Sequence, residues 1–232
     1  MEFDLLRAIK PNRQKALFLA KRQLAEFVYD AVNLEGIHYT LPEVQTLLDG
    51  VTVGGHKLSD QRIALNQADA WHFLFEKIQN NSFSLDQSFV CQLHFEAAKE
   101  EALAWGAFRT GQVTISGTDY MPPKADALAD LWQQIIFDYH DSEGLMLYQQ
   151  AVGLFLDMAR IQFFYDVNKR MGRFMMNGIL LDRGYPAINL PVKRQLEFNT
   201  LMLDFYQTSD KTAMTEFMLS CLDSKLIEIM SE

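Results

Sequence analysis

Residues 166–173 bring a carboxylate, an amide and three cations close together: Asp166, Asn168, Lys169, Arg170 and Arg173. The whole chain has a formal net charge of −9, so such a dense local cluster of positive charge calls for an anionic partner. Arginine guanidinium groups match phosphate oxygens in a bidentate way, and a carboxylate such as Asp166 could hold Mg²⁺ against a diphosphate. The cluster indicates a phosphate-binding site.

Two helical patterns flank this cluster, one over residues 145–161 and one from about residue 170 to residue 182. The N–H groups at the start of the second helix, with the helix dipole behind them, would add to an anion site. Arg170 and Arg173 lie three residues apart and therefore share a helix face. On these residues alone, a solvated helix start with surface salt bridges is the alternative.

Composition limits the classes of protein to consider. The chain has 232 residues, 49% hydrophobic and 22% charged, which is typical of a globular protein that buries one substantial core. It has neither an apolar run of membrane-spanning length nor a signal-peptide pattern, so we expect no membrane span and a cytoplasmic location. The acidic balance argues against nucleic-acid binding. Cys91 and Cys221 are expected to be reduced thiols.

Apolar residues at helical spacing predict a mostly α-helical protein. Thr40 and Glu43 form a capping-box pattern, with Pro42 in the first turn, which predicts a helix start at Thr40. Gly36 is a plausible stop for the helix before it. The other predicted helices cover residues 12–33, 60–79, 85–104, 125–140, 145–161, 170–182, 193–207 and 210–230.

The pattern changes at Gly106. Val113 and Ile115 alternate with polar residues between glycines, which predicts a short strand or hairpin over residues 108–117, and Pro122-Pro123 closes it. A lone hairpin leaves an unpaired edge. It is either a structural flap packed on the helices or a docking edge for an extended peptide.

Residues 161–173 resemble the Fic family motif, H-P-F-x-[DE]-G-N-G-R-x-x-R. Phe164, Asp166, Asn168, Arg170 and Arg173 stand at matching positions. The resemblance runs from about residue 30 to residue 222. It implies a mainly α fold: a Fic-type helical bundle with one β-hairpin flap, at residues 106–123. It divides the chain into an N-terminal helix, residues 1–36, and a core domain, residues 37–232.

The function that this resemblance implies is nucleotide chemistry. Typical family members move AMP from ATP onto a hydroxyl of a target protein, so the implied ligands are ATP with Mg²⁺ and the implied partners are a nucleotide and a target protein; a homo-oligomer is compatible with this. By position, Asp166 would bind the metal and Asn168 would orient the α-phosphate. The other implied site residues are Lys169, Arg170, Gly172 and Arg173 for phosphate and, in the flap, Arg109, Val113, Thr114 and Ile115 for aligning the target.

A second family feature lies upstream. Some members restrain themselves with a helix that carries [ST]-x-x-x-E-[GN], and here Glu35-Gly36 is kept while Ala31 replaces the hydroxyl residue. The implied role of Glu35 is an ion pair with Arg173 that denies this arginine to the γ-phosphate. The alternative is a solvated glutamate at a helix end.

Departures from the motif fall on its chemistry. Gln162 replaces the catalytic histidine, and a neutral amide cannot take a proton from the attacking hydroxyl. General-base catalysis contributes about 10²–10⁴-fold, so we expect a weak or inactive transferase. Phe163 replaces the proline and Val167 the first glycine, where a β-branched residue limits the backbone. Lys169 replaces the second glycine, which related branches tolerate.

Two other functions stay open at this point. One is an active nucleotidyltransferase that uses another base, for which His140 is a poor candidate; His94 lies on an apolar helical face and is more typical of a hydrogen-bonded core histidine. The other is a non-catalytic interaction protein that docks partners through the flap edge. No His or Cys pair has zinc-site spacing.

Overall fold

The computed structural model describes residues 3–232, and the described chain is helical with short 3₁₀ turns and contains no strand. Among these residues, no helix combines the length and apolar character that a membrane crossing needs. The α-helices are α1 (Arg13–Arg22), α2 (Leu24–Leu34), α3 (Leu41–Leu48), α4 (Leu58–Gln79), α5 (Gln87–Ala98), α6 (Leu128–Asp138), α7 (Gly144–Ile161), α8 (Asn168–Asp182), α9 (Gln195–Thr208), α10 (Thr212–Leu219) and α11 (Ser224–Ser231).

Helices α7 and α8 form the centre of the molecule. Gly172 allows their close approach, because a Cβ there would lie 2.7 Å from the carbonyl oxygen of Phe155. Nearly every residue of α8 is buried, since α1, α4 and α5 pack around it. The loop of residues 162–167 that joins α7 to α8, called here the motif loop, is therefore attached to the buried centre of the fold.

The N-terminal helices pack on this centre. The predicted helix over residues 12–33 is divided at Gln23 into α1 and α2, and Gly36 follows α2 at φ +79°, as expected of a helix stop. The division predicted after residue 36 falls in this turn. Phe27 of α2 stacks on Trp71 of α4 with ring centroids 4.5 Å apart, which places the end of α2 beside α8.

Local signals set the start of α3. Thr40 Oγ1 accepts a hydrogen bond from the Glu43 N–H at 3.4 Å, and the Glu43 carboxylate accepts from the Thr40 N–H at 2.7 Å, so the predicted capping box is confirmed. Helix α5 is shorter than the predicted 85–104. It ends at Ala98, and the chain then turns through Glu100, at φ +62°, so that Glu101 points back toward α8.

The predicted β-hairpin is wrong. Residues 106–123, called here the flap segment, contain no strand, and residues 112–116 make no backbone–backbone hydrogen bond in the described chain. The segment is instead fastened to the α7 end, where the Arg109 N–H donates to the carbonyl of Phe163 at 2.9 Å. The side chains of Val113 and Ile115 are half-buried between exposed neighbours, so the alternation reflects an extended chain lying on helices.

Candidate functional site

A cleft of about 520 Å³ opens at the start of α8, within the size range of small-molecule sites. Its walls come from the motif loop, the flap segment, α9 and the end of α2, and they include Glu35, Thr114, Ile115, Gln162, Asp166, Asn168, Lys169, Arg170, Asn199, Met202, Leu203 and Tyr206. The fold thus brings together most of the residues predicted from the motif. The α9 wall was not predicted as part of a site, because its residues carry no local signal beyond helical spacing.

Two left-handed residues bracket the motif loop. Gln162 has φ +56° and Val167 has φ +66°, a region that a β-branched residue rarely enters. Valine here adopts the backbone that the motif glycine would favour, and its side chain is buried. The loop therefore keeps a glycine-like turn without the glycine.

His94 supports this loop through hydrogen-bond and ring-stacking contacts. Its Nδ1 accepts from the Gly106 N–H at 3.1 Å, its Nε2 lies 3.4 Å from the carbonyl oxygen of Asp166, and its ring stacks on Phe164 at 3.7 Å. Burial lowers the pKa of His94 to about 4, so the ring is neutral at pH 7. The prediction of a hydrogen-bonded core histidine is confirmed.

The amide of Gln162 is held at both ends. Its Nε2 donates to the carbonyl of Ala159 at 2.6 Å, and its Oε1 accepts from Nδ2 of Asn168 at 2.9 Å. Asn168 also donates to the carbonyl of Phe164 at 2.8 Å, which uses both of its amide hydrogens. Asn168 thus shapes the loop, and a phosphate contact from its side chain would require one of these bonds to break.

The start of α8 faces the cleft without a side-chain cap, because Val167 occupies the N-cap position. The adjacent Asp166 is exposed, and one carboxylate oxygen accepts from the Val167 N–H at 2.7 Å. No group of three or more His, Cys, Asp or Glu residues in the described chain could hold a metal. A divalent cation beside Asp166 would therefore need phosphate oxygens to complete its ligands, as Mg²⁺ commonly does.

Arg170 is bound by two carboxylates. Its side chain is 4% exposed, Nη1 donates to Glu101 Oε2 at 3.0 Å, Nη2 donates to Glu101 Oε1, and Nε lies 3.5 Å from Glu35 Oε1. Burial opposes the charge, but the two acids raise the pKa of Arg170. Glu101 carries no local signal of a site residue, because Lys99-Glu100-Glu101 is typical of an ordinary solvated helix end.

The predicted ion pair between Glu35 and Arg173 is wrong. Among the described residues, the ion pair of Glu35 within 4 Å goes to Arg170. Arg173 lies further along α8 and points toward α2 and α9, with its guanidinium 6.0 Å from the ring centre of Phe198. Burial would raise the pKa of Glu35, but Arg170, Lys169 and Arg173 together lower it, so Glu35 is ionised at pH 7.

Two residues predicted to bind ligands have structural positions instead. Gly172 packs against Phe155 of α7 and does not line the cleft. Arg109, predicted to align a target, is 1% exposed, and its guanidinium donates to the carbonyls of Gly111, Pro123, Ile161 and Gln162. A cation suits the negative end of α7, so Arg109 fastens the flap segment to that helix end.

The rest of the flap segment borders the cleft. Thr114 and Ile115 line it, while Val113 is half-buried beside them. Arg160 of α7 stacks on Tyr120 at 3.8 Å and donates to the Tyr206 carbonyl at 3.3 Å, which ties the far end of the segment to α9. The segment is therefore anchored at both ends, and between them residues 112–116 make no backbone–backbone hydrogen bond with the described chain.

Known proteins are similar to this chain in sequence and in fold. A family model described as the Fic/DOC family matches residues 84–180. The protein adenylyltransferase Fic of Drosophila mojavensis is 22% identical over 227 residues, covering 96% of this chain and 44% of the relative, so the chain spans less than half the length of that curated protein. Fic-1 (residues 134–508) from C. elegans aligns with a TM-score of 0.75 at 17% identity over 89% of this chain and 61% of its own. A Fic domain containing signaling protein from Bacteroides thetaiotaomicron aligns with a TM-score of 0.72 at 19% identity. The alignment covers 99% of this chain and 92% of that protein. The matched residues include the motif loop and the flap segment, and over this part the chain is similar to the Fic/DOC family.

Proposed function

We propose that this chain is a Fic-type protein that binds the polyphosphate of ATP with Mg²⁺ in the cleft, and that its transfer of AMP to a target hydroxyl is weak or absent. The observation that carries the proposal is the position of Gln162. Its amide stands where the motif has a proton acceptor, and it is fixed between Ala159 and Asn168. The curated relative's name, protein adenylyltransferase, gives the reaction class.

The loss of the base accounts for weak transfer. An attacking hydroxyl must lose its proton as it bonds to the α-phosphorus, and an amide has no basicity near neutral pH. No histidine lines the cleft among the described residues, and the nearby His94 is buried and neutral, with its nitrogens facing Gly106 and the Asp166 carbonyl. The expected loss relative to a histidine is about 10²–10⁴-fold.

Several groups support polyphosphate binding. The uncapped start of α8 offers N–H groups to the cleft, and Lys169 adds a cation there. Burial lowers the pKa of Lys169, and Glu35 opposes that effect. Asp166 would hold Mg²⁺ together with phosphate oxygens, and the metal would neutralise phosphate charge. Glycine-like geometry at Val167 keeps the turn open for this contact.

Glu35 supports a restrained site. It lines the cleft beside Lys169 and takes one side of Arg170, so an incoming phosphate meets a carboxylate where it would meet a cation. Arg173 does not line the cleft. The proposed function is therefore nucleotide binding that is limited by Glu35.

The flap segment is the proposed docking place for a target. The main chain of residues 112–116 has free N–H and C=O groups beside the cleft, and an extended peptide can pair with such a chain. Thr114 and Ile115 would then face the bound nucleotide. The flap segment thus keeps the proposed role of aligning a target. Arg109 anchors the segment to the end of α7 and does not contact the target itself.

Two measurements test the function. Isothermal titration calorimetry with ATP and Mg²⁺ should show binding that weakens in Lys169→Ala and Asp166→Ala. Labelled ATP incubated with the chain and a cell lysate should leave little label on protein. Strong labelling that disappears in Asp166→Ala would overturn the loss of transfer, and absence of binding in both the native chain and Glu35→Gln would overturn the nucleotide site.

A further inference from the structure

A second cavity lies behind Arg170, between α2, α4 and α8. Its volume is about 30 Å³, and its walls are Phe27, Ala31 and Leu34 of α2, Gln67 and Trp71 of α4, Arg170, Arg173, Phe174 and Asn177 of α8, and residues 188–190. We call it the inner cavity. Since roughly 10–15 Å³ holds one water molecule, the inner cavity has room for about two water-sized groups and none for a nucleotide.

Buried polar atoms border this cavity without partners. Gln67 is 1% exposed, and neither its Nε2 nor its Oε1 has a hydrogen-bond partner in the described chain. The same holds for Nη2 of Arg173, whereas Nε of Arg170 has its ion pair with Glu35 at 3.5 Å. Buried polar groups in native proteins nearly always have a partner, so N–H donors from Gln67 and Arg173 around one cavity point to something that accepts them.

Charge favours an anion as that acceptor. Arg170 has its two carboxylates, but Arg173 has no carboxylate within 4 Å among the described residues. The nearby acids are Glu35, whose ion pair goes to Arg170, and Asp30, which is already occupied by the Asn189 amide and by the Val192 N–H at 2.8 Å. Burial lowers the pKa of Arg173 to about 10, so this arginine stays charged at pH 7. A buried charge is normally paired.

We propose that the inner cavity binds a small monovalent anion, of the size of chloride, on Nη2 of Arg173 and Nε2 of Gln67, with a water molecule on Gln67 Oε1. The small side chain of Ala31 leaves this space free on the α2 side. Because the walls belong to α2, α4 and α8, the ion links the helix that ends at Glu35 to the helix that begins the phosphate site. The site does not depend on nucleotide binding in the cleft.

Thermal unfolding without nucleotide tests the ion. The melting temperature should be about 3–6 °C higher in sodium chloride than in sodium gluconate of equal ionic strength, which corresponds to chloride at about ten times its dissociation constant. Gln67→Met fills the cavity and removes a donor, so the difference should vanish. Gln61→Met on the same helix is the matched control, since Gln61 is also buried but donates to the Val53 carbonyl, and the difference should remain.

Crystals soaked in sodium bromide give the direct reading. An anomalous peak should lie within hydrogen-bond reach of Nη2 of Arg173. Equal melting in the two salts, or a cavity that holds only water after the bromide soak, would overturn the proposal. Should Gln67→Met not fold, Ala31→Ser places a hydroxyl in the cavity and should shrink the chloride effect; an unchanged effect in that variant would also count against the site.

Discussion

Replacing Glu35 by Gln should tighten the binding of ATP with Mg²⁺ by up to about fivefold. Glu35 holds Arg170 by a single contact of 3.5 Å, from Nε to Oε1, and it also brings a negative charge into the cleft. A screened ion pair of this length contributes at most about 1 kcal/mol, and 1.4 kcal/mol is a tenfold change in affinity. A neutral amide at this position leaves the Nε side of Arg170 to the phosphate.

The stability change should be small for Glu35 and large for Glu101. The Glu35 side chain is 29% exposed and its contact is long, so solvent screening limits the pair to under about 1 kcal/mol. The Glu101 side chain is 14% exposed, and its carboxylate accepts hydrogen bonds from both Nη atoms of Arg170. Breaking one partner of such a buried pair costs about 3–5 kcal/mol, so Glu101→Gln should destabilise the fold.

Calorimetry with ATP and Mg²⁺, paired with urea unfolding, measures both effects. Glu26→Gln, exposed on the same helix as the residues before Glu35, is the control for affinity. Glu100→Gln is the control for stability, since Glu100 is exposed and pairs only at 3.5 Å with Arg62. Equal affinity in Glu35→Gln and Glu26→Gln would refute the restraint, and tighter binding in Glu101→Gln alone would assign it to the other acid.

Three further predictions concern the base, the flap anchor and pH. Gln162→His should raise AMP transfer by about 10²–10⁴-fold in a labelled-ATP assay, whereas Gln162→Asn should not; no rise would mean that the loop is disabled as well. Arg109→Met should lower the unfolding free energy in urea by about 3 kcal/mol or more, because carbonyls at the α7 end lose a buried donor, and exposed Arg62→Met should change it by about 0.5 kcal/mol or less. His94 takes up protons more readily unfolded (usual pKa 6.5) than folded (about 4), so stability should fall by about 2 kcal/mol from pH 7 to pH 5; His94→Gln should remove most of this fall, and an equal fall in both proteins would contradict the assignment.

Local chemistry made much of the helical fold predictable. The start of α3 depends on Thr40 and Glu43, which lie three residues apart, and α7 ends at Ile161 where its apolar repeat ends. Such signals need no knowledge of distant contacts. The positions of Gln162, Asp166 and Arg170 on one cleft followed from the motif in the same way, since a short loop between two packed helices fixes their neighbourhood.

Pairing and side-chain direction were not predictable by the same means. Alternation at Val113 and Ile115 reports an extended chain with one face half-buried, but whether such a chain pairs with another depends on what lies beside it. Here Arg109 fastens the chain to carbonyls at the end of α7. Likewise Glu101 reaches Arg170 only because the backbone turns at Glu100, which no charge pattern reveals.

Val167 decides how the departures from the motif should be weighed. A β-branched residue at φ +66° carries strain of about 1–3 kcal/mol, and burial of its side chain returns about as much. Two side chains also hold the turn in place. The Asn168 amide accepts from the Phe164 N–H and donates to the Phe164 carbonyl, and His94 stacks on the Phe164 ring. The valine therefore leaves the shape of the motif loop in place. Gln162 has no such compensation, because proton transfer depends on one atom and no histidine among the described residues lines the cleft. Loss of transfer with retention of binding is the outcome that these two substitutions favour.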